Sequence, residues 1–346
     1  MKKLFFCLVV TLLFCSCKDA LLDEDFKGGD WFYLENKGAT MPVWVKGNIQ
    51  SETFIIFIGG GPGYSSVEDI PLHDAFRRLQ NHYALVCWDQ RGCGLSQGNA
   101  KPETLTLKQF VEDLEKLVVL IRHKYNNPTL FLMGHSWGGM LGSAFLMNPI
   151  NQTHVSGWID ISGMKNTTRD MMFFVEWVIE KAEEQINLGI DVDYWKDEIA
   201  WYNSRVPPLT YDIWQDEKFW ERNSKNAGKF NAWIHDPSSA PGISIGLNSP
   251  CPLFDFLNSF YIGKNMHPNL FGLSVVREIE NIKIPSLIMG GKHDGNIPVK
   301  IAHETYEKIG SDNKYLYIFE NAAHMSFYEE PELFSERVKL FINKYK

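Results

Sequence analysis

The sequence of 346 residues has no uninterrupted apolar run of 18 residues, so it does not encode a protein that crosses a membrane several times. It shows no internal repeat and no low-complexity tract, which argues against a repeat architecture. It has neither an HExxH motif nor cysteine and histidine spacings typical of zinc sites, so we expect no metal. Lys and Arg number 34 against 42 Asp and Glu, and the net charge of −8 argues against a nucleic-acid partner.

The composition is that of a globular protein. Hydrophobic residues make up 45% and charged residues 22% of the chain, which allows one large domain or two modest ones. Aromatic residues reach 14%, including 11 Trp. Large flat side chains are typical both of a lined pocket and of a well-filled core, and composition does not separate the two.

The first residues indicate export. A basic start is followed by the apolar run Leu4–Phe14, which is too short to span a bilayer and fits the apolar part of a signal peptide. Ser16-Cys17 then resembles the lipobox of bacterial lipoproteins. We therefore expect removal of residues 1–16, a lipid on Cys17, a location in the bacterial cell envelope and a mature net charge of −8 − 2 = −10. The alternative is an ordinary secretory signal in which Cys17 is incidental.

Three further cysteines remain in the mature chain, namely Cys87, Cys93 and Cys251. Because the number is odd, at least one of them has no partner within the chain. Cys87 and Cys93 bracket a short turn, and the sequence leaves open whether they pair.

Strand-like and helix-like segments alternate in both ends of the chain. The strand-like segments are 31–34, 42–45, 53–58, 83–88, 128–133, 155–161, 286–289 and 315–319, and the helix-like ones include 70–80, 107–125, 299–309 and the stretch from 331. This alternation predicts an α/β fold with a mostly parallel sheet flanked by helices. A Trp-rich, helix-like segment lies between the two alternating parts of the chain, and we interpret it as a lid inserted after the sixth predicted strand. The predicted units are a signal peptide (1–16), a tether (17–30), the core (31–165), the lid (166–275) and the rest of the core (276–346).

The segment Gly134–Gly138 fits the motif G-x-S-x-G and lies between a predicted strand and a predicted helix. In that setting the motif is typical of a nucleophile elbow, where a strained turn exposes the serine hydroxyl. The sequence therefore predicts that Ser136 is a nucleophile and that the N–H of Trp137 helps to bind an oxyanion.

A serine needs a base, and the candidate is His324, in a short loop after the last predicted strand. His135, beside the nucleophile, and His293 are the rivals. The acid that orients the base is expected after the preceding strand, where Asp294 stands; Asp160, on an earlier strand, is the alternative.

The order Ser136, Asp294, His324 is that of α/β-hydrolases. The run Gly59–Gly63 follows the third predicted strand and lacks the spacing of a dinucleotide or phosphate loop. Its place predicts that the N–H of Gly60 or Gly61 is the second oxyanion donor.

Three motifs together resemble those of the prolyl iminopeptidases, which are serine peptidases of the α/β-hydrolase fold. Gly59–Gly63 resembles the family's H-G-G-P-G loop, with Gly59 in place of the histidine. Trp88–Ser96 resembles its W-D-Q-R-G-x-G-x-S segment, and Gly134–Gly139 its G-x-S-W-G-G motif. The resemblance covers residues 53–165 and 284–346.

The resemblance implies an activity that removes an N-terminal residue, often proline, from short peptides, with lid acids that bind the free amine. Trp220-Glu221 is similar to a Trp-Glu pair of the family's lid. Leu257 stands where a second lid glutamate is expected, and Asp255 lies two positions before it. Glu221 and Asp255 are therefore the candidate substrate-binding acids, whereas Arg91 is expected to tie loops together.

The sequence thus predicts an exported serine hydrolase that acts through an acyl-enzyme on a small peptide or ester, without metal or organic cofactor. Two alternatives stay open. One is a carboxylesterase or lactonase with the same triad, and the other is a binding lipoprotein without enzymatic activity.

Overall fold

The computed structural model describes residues 29–68, 70–98, 100–235 and 252–346, with side chains from residue 257 onwards in the last range. The predicted signal peptide, Cys17 with most of the tether, Cys251 and the side chain of Asp255 lie outside the described residues.

The strands of the described residues form one sheet. Their bounds are β1 (Asp30–Asn36), β2 (Ala39–Gly47), β3 (Thr53–Ile58), β4 (Ala84–Trp88), β5 (Gln97–Gly98), β6 (Thr129–His135), β7 (Gly157–Ile161), β8 (Ser286–Gly291) and β9 (Lys314–Phe319). The order across the sheet is β1-β2-β4-β3-β6-β7-β8-β9, and β5 pairs with β2. Strand β2 is antiparallel to β1, β4 and β5, and all pairs from β4 to β9 are parallel. The predicted mostly parallel sheet is confirmed.

Helices connect these strands and cover both faces of the sheet. Their bounds are α1 (Asp74–Gln80), α2 (Leu107–Lys124), α3 (Trp137–Leu146), α4 (Pro149–Gln152), α5 (Thr167–Asn187), α6 (Val192–Arg205), α7 (Tyr211–Gln215), α8 (Glu217–Lys229), α9 (Pro252–Leu270), α10 (Lys300–Lys308), α11 (Ser326–Glu329) and α12 (Pro331–Tyr345). The lid follows β7, which is the strand predicted as the sixth. The count differs by one because β5 has only two residues and is too short to show an alternating pattern.

The apolar patterns of the sequence explain these elements. All six residues of β3 are buried, as expected for a central strand that is covered on both faces. Thr106 caps the start of helix α2, because its side chain accepts a hydrogen bond from the N–H of Gln109. The helix buries one apolar stripe against the sheet, which consists of Phe110, Leu114, Leu117, Val118 and Ile121. Two buried apolar clusters, one on each face, hold sheet and helices together.

Helices α5 to α9, between β7 and β8, form the lid, and it has an apolar cluster of its own. A polar network joins α6 to α8: Tyr202 donates to the Asn223 side chain at 2.8 Å, and Asn226 donates to Glu198 at 2.8 Å. Because buried amides and carboxylates need partners, this network fixes which face of α8 points inward.

Two further findings concern cysteines and the membrane. Cys87 and Cys93 are both buried, and no disulfide joins them, which answers the question that the sequence left open. Within the described ranges, none of the helices combines the length and the apolar character needed to cross a bilayer.

Candidate active site

The nucleophile elbow is formed where β6 ends and α3 begins. Ser136 has φ 56° and ψ −116°, a backbone conformation that is costly for a residue with a side chain. A Cβ atom at Gly138 would collide with the carbonyl oxygen of Ile58, and one at Gly134 would lie 2.5 Å from the Trp158 ring. The glycines of the motif are thus required by close packing around Ser136, which is itself buried.

The loop 59–63, here called the oxyanion loop, lies against the elbow. A Cβ atom on Gly60 would lie 3.3 Å from the Cβ of Ser136, so the Gly60 backbone is adjacent to the nucleophile. Gly61 has a φ of 109°, which glycine adopts without strain. Trp137 is the first residue of α3, whose N-terminal N–H groups favour negative charge. The three predicted oxyanion donors therefore come from two segments that meet at Ser136.

Two segments bring the base and the acid together. The acid loop (292–299) joins β8 to α10, and the histidine loop (320–325) joins β9 to α11. The Nδ1 atom of His324 lies 2.9 Å from the Oδ2 atom of Asp294, and both side chains are at most 1% exposed. The other Asp294 oxygen accepts a hydrogen bond from the N–H of Ile297 at 2.8 Å. Asp294 thus holds the His324 ring in one orientation.

The rival acid has a different partner. Asp160, in β7, forms a buried ion pair with Lys165 at 2.7 Å, with both side chains 2% exposed. This pair lies beneath the elbow, since a Cβ atom on Gly139 would come within 2.6 Å of the Asp160 carboxylate. Of the two candidate acids, the structure places Asp294 on His324.

The two rival histidines, His135 and His293, contact other groups near the site, and neither side chain is hydrogen-bonded to Asp294. The Nε2 atom of His135 lies 3.1 Å from the carbonyl oxygen of His324, and because a carbonyl only accepts, that nitrogen carries a proton. Burial, with a smaller effect of His324, holds the pKa of His135 well below its usual range, so this ring is neutral. His293 stacks on His235 of the lid, with ring centroids 3.7 Å apart. Burial, followed by the charge of His235, lowers the pKa of His293.

The D-Q-R-G segment after β4 organises the loops around the elbow. The side chain of Gln90 donates to the carbonyl oxygen of Gly59 at 3.1 Å and accepts from the indole N–H of Trp137 at 3.0 Å. It thereby joins the two segments that carry the oxyanion donors. Arg91 is fully buried and pairs with Asp113 of α2, so it ties loops together as the sequence analysis expects.

Asp89 completes this arrangement. Its carboxylate accepts hydrogen bonds from the N–H groups of Ser66 and Leu95, both at 2.7 Å, and so connects the two loops that flank the site. Burial raises the pKa of Asp89 to about 6, although these hydrogen bonds oppose that effect.

Sequence reasoning missed several residues that contact the site. Asn296, in the acid loop, places its Nδ2 atom 3.2 Å from the Nε2 atom of His324. Trp233, in the lid segment after α8, packs edge to face on the His324 ring with centroids 5.2 Å apart. Glu329 accepts from the N–H of Ala323 at 2.7 Å and from that of His235 at 2.6 Å. The D-Q-R-G motif could have revealed Gln90, whereas contacts across the lid have no sequence signal.

The predicted lid acids do not join the triad in the described part of the structure. Glu221 is exposed on α8. Phe219, Asn223 and Asn226 recur at helical spacing and face the lid interior, so Glu221 falls on the opposite, solvent side. This exposure argues against the expectation that Glu221 is an acid that binds the substrate amine. Asp255 belongs to α9, and its side chain is outside the described residues.

Comparison with known proteins agrees with this geometry. A family model of the alpha/beta hydrolase fold matches residues 53–331, which is well over half of the chain. The matched range contains the elbow, the acid loop and the histidine loop.

Two curated relatives align over most of their length. A probable aminopeptidase of Bacillus subtilis is 24% identical over 291 residues, covering 81% of this chain and 86% of that protein. A proline iminopeptidase of Saccharolobus solfataricus is 26% identical over 294 residues, covering 84% of each. Among solved structures, an esterase from a Rhodococcus species is similar with a TM-score of 0.62 and 17% identity, covering 92% of this chain and all of that one. At this identity the structural likeness shows the shared fold alone.

Proposed function

This chain belongs to the α/β-hydrolase family, and we propose that it is a serine aminopeptidase that releases the N-terminal residue of short peptides through an acyl-enzyme. The observation that carries the proposal is the buried His324–Asp294 hydrogen bond beside a strained serine turn. Two relatives, one named a probable aminopeptidase and the other a proline iminopeptidase, are similar over more than four-fifths of the chain and support the choice of substrate.

In acylation, the Oγ atom of Ser136 attacks the carbonyl carbon of the substrate, and its proton passes to the Nε2 atom of His324. The carbonyl oxygen becomes an oxyanion, which accepts from the N–H of Trp137 and from that of Gly60 or Gly61. Asp294 stabilises the imidazolium that forms. His324 then donates its proton to the leaving amine as the C–N bond breaks, and the acyl group stays on Ser136.

Deacylation repeats these steps with water. His324 removes a proton from the water as its oxygen attacks the ester, and then returns a proton to Ser136 as the free amino acid leaves. Each oxyanion donor in such sites is worth about 10²- to 10³-fold in kcat, so the two-segment hole is a large part of the catalysis.

Amine recognition requires a carboxylate near the oxyanion loop, since a buried ammonium needs a partner. Helix α9 lies beside that loop: Ser259 donates to the carbonyl oxygen of Gly63 at 3.4 Å, and Asn258 donates to the carbonyl oxygen of Gly94 at 2.7 Å. Asp255 is one helical turn before Ser259, whereas Glu221 is exposed on α8. We therefore propose Asp255 as the amine-binding acid.

The test compares L-proline p-nitroanilide with p-nitrophenyl acetate, which has no amine. Asp255→Asn is expected to lower kcat/KM for the anilide by about 30-fold or more, because the ammonium group of the bound substrate would lose its counter-charge. The acetate is expected to react at an unchanged rate. Glu221→Gln is the matched control and should affect neither substrate. Equal losses on both substrates would show that Asp255 is structural.

A second candidate function is hydrolysis of small apolar esters by the same triad. The packing of Trp233 on His324 favours it, because an aromatic ring beside the base suits an apolar acyl group. A kcat/KM for p-nitrophenyl esters far above that for every amino-acid anilide, with free and blocked amines equally reactive, would establish this reading instead.

We propose a lipid anchor on Cys17 as the site of membrane attachment in the bacterial envelope. The supporting observation is the short apolar leader followed by Ser16-Cys17. Cys17→Ser is expected to move the protein from the membrane fraction to the soluble fraction, as judged by sedimentation after a salt wash. A variant that still sediments would contradict the anchor.

A further inference from the structure

Asn296 contacts the nitrogen of His324 that must accept a proton during the reaction. Its side chain comes from the acid loop, two residues after Asp294, and is half-buried. The Nδ2 atom of Asn296 and the Nε2 atom of His324 are 3.2 Å apart, which is within hydrogen-bond range.

The direction of this hydrogen bond follows from the other side of the ring. The Nδ1 atom of His324 faces a carboxylate oxygen of Asp294 at 2.9 Å, and an ionised carboxylate can only accept. Nδ1 therefore carries the proton of the neutral ring, and Nε2 has a free lone pair. Asn296 must donate an N–H to that lone pair.

The lone pair in question is the one that takes the proton of Ser136. A ring nitrogen has a single lone pair in the ring plane, so it accepts one good hydrogen bond at a time. Among the described residues, the hydrogen bonds of the two His324 ring nitrogens go to Asn296 and Asp294, and none goes to the Oγ atom of Ser136. In the free protein, the Nε2 atom of His324 is therefore hydrogen-bonded to Asn296 and not to Ser136.

We propose, on the basis of the function proposed above, that Asn296 is a positioning residue that holds the base in the free enzyme and releases it to Ser136 when substrate binds. An amide suits this role because it can serve both protonation states of the ring. Its N–H meets the neutral nitrogen, and after a half-turn its oxygen accepts from the protonated one.

The ring keeps its place without Asn296, because other groups face it from each neighbouring element. Asp294 bonds to Nδ1, neutral His135 of the elbow donates to the His324 carbonyl oxygen, and Trp233 of the lid covers one edge. Glu329 is the further charged group at this loop and accepts from the N–H of Ala323. Removal of the Asn296 side chain therefore frees the lone pair without releasing the ring.

The first test is the rate of covalent labelling by a small alkyl fluorophosphonate. In this reaction a bond forms between Ser136 Oγ and phosphorus, the serine proton passes to His324, and fluoride leaves. Asn296→Ala is expected to speed labelling by about 3- to 10-fold, because one hydrogen bond no longer has to be broken. Asn321→Ala, which removes an exposed amide from the neighbouring histidine loop, is the matched control and should label at the wild-type rate. An equal or slower rate for Asn296→Ala would overturn the proposal.

The second test is the pH profile of kcat/KM for a p-nitrophenyl ester. Asn296→Asp replaces the amide by a group that only accepts, and a carboxylate at Nε2 favours the protonated ring. The acidic limb should therefore move to higher pH by about one unit or more, while the Asn296→Ala limb moves far less. Coincident limbs for the two variants would show that the side chain does not meet the base. If wild-type protein is not labelled at Ser136 at all, the proposed function fails, which is a different outcome from wild-type labelling that equals that of Asn296→Ala.

Discussion

At the scale of single residues, the partner of each carboxylate separates the two candidate acids. Asp160 and Asp294 belong to the neighbouring strand ends of β7 and β8, and both are buried. Asp160 is neutralised by Lys165, whereas Asp294 is hydrogen-bonded to His324. The order of the predicted strands favours Asp294 over Asp160. The ion pair that occupies Asp160 has no sequence signal, because it depends on a lysine five residues later that turns back to it.

We expect Asp294→Asn to lower kcat by a factor on the order of 10⁴, because the amide would favour the wrong tautomer of His324. Asp160→Asn should act on stability instead, since it leaves the buried Lys165 ammonium without its counter-charge, at a cost of about 3–5 kcal/mol. Steady-state kinetics and urea unfolding of both variants separate the two effects. A loss of kcat confined to Asp160→Asn would reverse the assignment.

At the scale of elements, the site is assembled from segments that follow the carboxyl ends of parallel strands. The oxyanion loop follows β3, the elbow follows β6, and the acid and histidine loops follow β8 and β9. This much was predictable, because buried strands and glycine-rich turns leave clear patterns in a sequence. Two features were not predictable. Strand β5 has only two residues and is too short to show a pattern, and the contact between Asn296 and His324 depends on the geometry of a loop.

The side chain of Gln90 connects two of these segments, because it is hydrogen-bonded both to the oxyanion loop and to Trp137 at the start of α3. We expect Gln90→Met, similar in size but without these hydrogen bonds, to lower kcat by about 10-fold or more with little change in KM, because misplaced oxyanion donors weaken transition-state binding. Gln97→Met, on the exposed strand β5, is the control and should keep wild-type kinetics. An unchanged kcat for Gln90→Met would show that the oxyanion loop holds itself in place.

At the scale of the whole molecule, the core follows from the sequence and the lid does not. The alternation of strands and helices predicts the sheet and its flanking helices, and the family match confirms the fold. Glu221 shows why the lid is harder to interpret: its motif suggests a substrate contact, whereas the amphipathic spacing of α8 places it in solvent. In the lid, the spacing of buried residues along a helix therefore predicts the position of a side chain better than a two-residue motif does.

The stability of the fold should depend on pH through Asp89, because burial raises the pKa of its carboxyl group from 3.8 to about 6. A raised pKa means that the folded state favours the protonated acid, so this stabilisation is present below pH 3.8 and is lost as pH rises through 6. We therefore expect the free energy of unfolding of the wild type, relative to Asp89→Asn, to fall by about 2–3 kcal/mol between pH 4 and pH 7.5. Urea unfolding at both pH values measures this difference, and a difference independent of pH would contradict it.

The central claim, that Ser136 is the nucleophile of an aminopeptidase, is tested most directly by the initial rate of p-nitroaniline release from L-proline p-nitroanilide. Wild-type protein and Ser136→Ala are purified in parallel, and equal melting temperatures show that both are folded. We expect turnover by the wild type and a loss of at least about 10³-fold in the variant, because the remaining groups cannot form the acyl-enzyme. A variant that retains more than about a tenth of the wild-type rate, a loss far smaller than removal of a nucleophile causes, would contradict the account.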